Sequence, residues 1–214
     1  MDHQHPLDQI KEIRKMMEHS SRFVSLSGWS GICAGLAALV GAWLAQLQLQ
    51  HHNIEPAYQR TAYPEDLRNS LLSIAIIVFV VAFIGSFLFT YAESRKKGLP
   101  IWSETSKRLL WHTFLPIGVG GLLILKMIAL EQYQLIAASC LIFYGLGLVN
   151  GSKYTLGEVR FLGYGQIGVG LIDLLIPGYS LYFWALGFGV LHIVYGVFMW
   201  WKYEKIQQKF NQTT

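Results

Sequence analysis

Long apolar runs separated by short polar segments organise this chain. Six runs stand out, at about 23–47, 69–92, 109–130, 133–150, 156–176 and 179–201. Each is close to the ~20 apolar residues that a helix needs to cross a bilayer, the later ones being shorter and richer in glycine. The apolar positions follow one another without alternation, which selects helices over barrel strands. The pattern predicts an all-α fold, a polytopic membrane bundle of six transmembrane helices over 23–203. Before it, "PLDQIKEIRKMMEHS" sets Leu7, Ile10, Ile13 and Met17 on one helical face. A short amphipathic cytoplasmic helix is expected within 1–22, resting on the membrane, on a partner or on its own bundle. A cytoplasmic tail is expected over 204–214. The first run follows 22 residues that mix acids with bases, unlike a cleaved secretory signal, and is expected to be retained.

Charge adds a direction. Of the 17 Lys and Arg residues, 14 fall in segments that share a side with the N-terminus, and only Arg60, Arg68 and Lys126 fall on the other. Cytoplasmic segments carry such an excess, so both termini are expected inside, in a bacterial inner (plasma) membrane. Composition agrees: 53% of residues are hydrophobic and 14% charged, against about 25% charged in soluble domains. Mean hydropathy is +0.36. The pI near 9.0 is then a matter of anionic headgroups, and no nucleic-acid partner is expected. Trp102, Trp111, Trp200 and Trp201 at one boundary, and Trp43, Tyr179, Tyr182 and Trp184 at the other, form the expected aromatic belts. Cys33 and Cys140 lie inside apolar runs and read as packing residues.

Small residues predict where helices touch. Ser27, Gly31 and Gly35 form a seam on the first span, and glycines crowd the fifth and sixth. The second span is bulky throughout and is expected to face lipid most. "TLGE" suggests a capping box of Thr155 and Glu158 opening the fifth span. Pro116 should kink the third and release the carbonyl of His112.

Ionisable residues within spans are functional candidates by default. Lys126 and Asp173 each lie about four residues from the same membrane face. If the third and fifth spans are neighbours, the two can pair. Lys126 could instead snorkel, although helical side chains lean toward the helix N-terminus, here away from the nearer water. A structural ion pair is the expectation, and a ligand-binding pair is the next reading. His192 near the middle of the sixth span, Tyr195 one turn on and His112 near the inner end of the third complete the polar set, with Tyr144, Asn150 and Gln166 as further polar groups. His112 and His192 differ in depth by roughly 9 Å, which argues against a shared haem. His51, His52 and Glu55 in the outer loop read as solvated residues before they read as a metal site.

The stretch from "LIFYGLGLVNGSKYTL" through "GFGVLHIVYGVFMWWKYE", with "SSRFVSLSGWSGICAGLAALVGAWLA" at the first span, resembles a group of uncharacterised six-span bacterial inner-membrane proteins. That resemblance implies fold and location, and no reaction or cofactor. The functional expectation is a protein that binds or transports a small molecule, lipid or ion through a polar intramembrane site around Lys126, Asp173 and His192. The alternative is a non-catalytic regulatory, sensing or assembly partner. Expected partners are the lipid bilayer, a small-molecule or lipid ligand, and either a second copy or another membrane protein.

Overall fold

A computed structural model describes residues 27–52, 63–98 and 100–205, with side chains as far as Tyr203. The expected helix within 1–22, Glu55 and the end of the tail lie outside the described residues. Those described are helical and include no strand. The helices are α1 (Gly28–His51), α2 (Glu65–Lys96), α3 (Glu104–Ala129), α4 (Ile136–Gly151), α5 (Val159–Leu175) and α6 (Ser180–Tyr203). Five are long and apolar enough to cross a membrane, α4 counted with its flanking 3₁₀ turns as Tyr133–Tyr154. The fifth helix, α5, has 17 residues. Helix positions match the six apolar runs to within about five residues at either end.

Helix starts follow local chemistry. Ser27 caps α1 by accepting from the Trp29 N–H, and Ser103 caps α3 by accepting from the Ser106 N–H. At the start of α5 the expected capping box is not built from Glu158. Its Oε1 instead accepts from Lys202 Nζ and from the Tyr203 hydroxyl, the latter at 2.8 Å, and the helix begins at Val159. Charge partners on α6 have won the carboxylate from the backbone, tying the first turn of α5 to the end of α6.

Packing is set by glycine. A Cβ on Gly196 would stand 2.6 Å from the Gly28 carbonyl oxygen, and one on Gly35 would stand 2.7 Å from that of Gly189, so α1 and α6 lie backbone against backbone. Gly145 and Gly163 do the same between α4 and α5, each Cβ falling 2.7–2.8 Å from the other's carbonyl oxygen. The contacts of Gly147 with Thr113 and of Gly120 with Phe143 run α3 antiparallel to α4. Helix α2 packs on α1 through Gly41 against Val78 and Gly85 against Cys33, and the Ser86 hydroxyl donates to the Ser30 carbonyl at 3.2 Å. Its remaining surface presents Ile76, Phe79, Phe83, Phe87 and Leu88 outward, as its bulky sequence predicts. The resulting order is α2, α1, α6, then α5 with α4, then α3.

Within α3, Pro116 has no N–H to give to the His112 carbonyl. Asn150 Nδ2, from α4, donates to that carbonyl at 2.8 Å. A proline defect on one helix is thereby repaired by an amide on the next.

Two outcomes are expected in thermal unfolding in detergent. Gly196→Leu should destabilise by about 1–3 kcal/mol through forced separation of α1 and α6, whereas Gly118→Ala, where nothing lies within 4 Å of the added methyl, should leave stability unchanged or raise it. Asn150→Leu should cost about 1–3 kcal/mol by orphaning the His112 carbonyl, and a neutral effect would show that the carbonyl finds another donor.

Candidate ligand cavity and buried polar network

Helix ends create a cavity. Gln46 near the end of α1, Tyr63 just before α2, Tyr133 and Gln134 just before α4, Asp173 near the end of α5 and Ser180 at the start of α6 all line a space of about 240 Å³. The Pro177–Gly178 turn closes one side, with Gly178 at φ 92°, a left-handed conformation that suits glycine. The walls are chemically one-sided. Asp173 is the only residue of charged type among the described residues lining the cavity. The Tyr63 and Tyr133 rings lie 4.6 Å apart between centroids, tilted at 40°.

Asp173 is 3% exposed, and neither carboxylate oxygen makes a well-formed hydrogen bond. The Ser180 hydroxyl is the neighbouring polar group. The Tyr133 hydroxyl is also buried without a partner. Buried polar atoms of folded proteins are nearly always satisfied, so two unsatisfied groups on one cavity are an exception that calls for an explanation.

A second polar centre lies one to two turns deeper, where α6 is wound as a π-helix over Ala185–Leu191. Gly187 Cα packs against α4 and α5: a Cβ there would meet the Gln166 Oε1 at 2.6 Å. The Gly187 carbonyl accepts from Gln166 Nε2 at 2.8 Å and from His192 Nδ1 at 3.1 Å. A carbonyl only accepts, so Nδ1 carries the ring proton. His192 Nε2 is then an acceptor, and the Tyr144 hydroxyl donates to it at 2.8 Å. The ring is neutral in this arrangement, stacked on Phe188 and tilted against Tyr144. Tyr195, one turn along α6, packs with Leu148 against the cluster of Leu156, Val159 and Met199, its hydroxyl buried and unpartnered.

The residues singled out from sequence therefore separate. The expected ion pair between Lys126 and Asp173 is not formed: α3 packs on α4 and α4 on α5, and Lys126 is exposed on the outer side of that layer. Matched depth is not contact when a third helix stands between. His192 joins Tyr144 and Gln166 and not the cavity lining. His112 is hydrogen-bonded to the Tyr154 hydroxyl at 3.1 Å, stacks on that ring and belongs to the α3–α4 contact. Tyr63, Tyr133, Gln134, Gln46 and Ser180 were not legible as site residues, because they come from four separate segments near helix ends. The one hint was the concentration of tyrosine and glutamine flanking the apolar runs.

On the same side of the bundle His52 ties the end of α1 to the start of α2. Its Nδ1 donates to the Gln48 carbonyl and its Nε2 to Asp66 Oδ2, both at 2.9 Å. Two acceptors require two protons, which makes this ring a cation. The hydrogen bond to Asp66, then that to the Gln48 carbonyl, raises the His52 pKa above its ordinary 6.5. The clamp's stabilisation is thus fully present below pH about 6.5 and is lost as pH rises through the raised value. An NMR titration should place His52 above 6.5, and Asp66→Asn should bring it back down; no change in Asp66→Asn would mean the clamp is absent. No family model, curated protein or solved structure matches this chain.

Proposed function

We propose that this is a bacterial inner-membrane protein with six membrane-crossing helices and both termini in the cytoplasm, which binds a small organic cation in the cavity beside Asp173. The observation that carries the reading is the buried, unpartnered carboxylate within an aromatic-walled space. A single carboxylate favours a cation and disfavours an anion, and tyrosine rings attract ammonium groups through their faces. No group of three or more metal-binding side chains is found among the described residues, so the cavity suits an organic cation better than a coordinated metal ion.

The sixth crossing is supported by α5 itself. It runs antiparallel along α4 from Gly163 beside Gly145 to Gly170 beside Ala138. At 1.5 Å per residue its length is about 25 Å, against a hydrocarbon core of ~30 Å. An even number of crossings returns the C-terminus to the side of the N-terminus, and the Lys and Arg bias makes that side cytoplasmic. Asp173 then faces outward.

Transport and sensing both use such a site. At the end of the bundle away from Asp173, Leu156, Val159 and Met199 pack together and the Glu158–Lys202 pair ties α5 to α6. Such packing suits a carrier resting open on the Asp173 side, and it equally favours the second reading, a dead-end sensor or regulatory partner. Uptake of a labelled quaternary ammonium into proteoliposomes separates them: the carrier accumulates it and the sensor only binds it.

Tetramethylammonium titrated calorimetrically into the purified protein should bind. Asp173→Asn should weaken binding on the order of a hundredfold, the scale of losing one partner of a buried charge pair, and Tyr133→Leu about tenfold. Unchanged affinity in Asp173→Asn sinks the proposal.

A further inference from the structure

We propose that the cation enters in exchange for a proton, so that each binding event at Asp173 releases one H⁺. This rests on the cation-site reading and adds a coupled activity to it. A buried carboxylate with no cation beside it, and only neutral hydroxyls and amides around it, is costly to keep ionised, and the neutral acid is the form such a site holds when empty. Among the described residues lining the cavity, none offers a charge to offset it. From α1 the facing group is Gln46; from the segment before α2, Tyr63; from the segment before α4, Tyr133 and Gln134; from α6, Ser180 and Tyr182. Among these the tyrosine hydroxyls are the only ionisable groups. Among the described residues no base lines the cavity: His52 holds Asp66, Arg68 lies beside Glu65, and Lys126 is exposed on α3.

The exchange balances without any further reactant. The carboxyl O–H of Asp173 breaks heterolytically, its electron pair stays on the oxygen, and the proton passes to water at the cavity mouth. The cation takes the vacated place against the carboxylate. One positive charge enters and one leaves, so the site is neutral overall in both states. In a carrier this makes the exchange electroneutral, and in a sensor it makes the response depend on external pH.

Tetramethylammonium is the probe of choice, since it has no proton of its own to lose. Added to weakly buffered wild-type protein with an indicator dye, it should release up to one proton per site at low pH and progressively less as pH rises. Its apparent affinity should improve roughly tenfold per pH unit until the acid is ionised, then level off. Binding with no proton release and no pH dependence between about pH 5 and 9 overturns the exchange while leaving the cation site standing. Absence of any binding overturns both. Release that persists undiminished in Asp173→Asn also overturns the proposal, because the proton would then come from another group. The wild-type measurement decides even if that variant fails to fold.

Discussion

A backbone carbonyl set loose inside an apolar bundle has to be met by a side chain, because no water is there to meet it. Two carbonyls that take side-chain donors organise this molecule. The carbonyl of His112, abandoned by Pro116, is met by Asn150 and fixes α3 against α4. That of Gly187, presented by the π-helical stretch of α6, is met by Gln166 and His192 and fixes α5 against α6. Both contacts need the helices close enough for a side-chain amide to reach across. Gly147 and Gly120, between α4 and α3, and Gly187, on α6 against Gln166 of α5, supply that closeness.

Against this background the unrepaired groups gain their meaning. Asp173 and Tyr133 are as buried as the groups that were satisfied, yet they face a cavity. They sit where five chain segments converge at helix ends, and helix ends are where regular packing gives way to shaped space. The same α5 face carries Gln166 and, seven residues later, Asp173. One helix thus serves the structural centre and the candidate binding centre in successive turns.

Much of the architecture was legible because apolar length and glycine spacing act locally along the chain. The six runs became the six helices, the bulky second run became the exposed α2, and the freed carbonyl of His112 was readable from Pro116 alone. Its rescuer was not, since nothing in Asn150's neighbourhood names α3 as a partner. The same limit undid the Lys126–Asp173 pairing. Depth can be counted from a helix end, but which helices are neighbours depends on glycine contacts between distant segments, here α4 filling the place between α3 and α5. Glu158 was misread for a related reason: a capping box is a local pattern, and a lysine and a tyrosine 44 and 45 residues away competed for its carboxylate.

The π-helical stretch Ala185–Leu191 also bears on how α6 is phased. A widened turn behaves like a regular helix that has taken in one extra residue, and each residue advances the helical wheel by about 100°. Everything after Leu191 is therefore rotated relative to Ser180 and the cavity-facing turn. That offset lets one helix present Ser180 to the cavity, His192 to Gln166 and Gly196 to Gly28. Rewinding the stretch as a regular helix with all its residues kept would swing His192 and Gly196 together away from their partners, whereas rewinding it with one residue removed would leave both in place. The irregular turn is the gear that sets the two halves of α6 in their working phase.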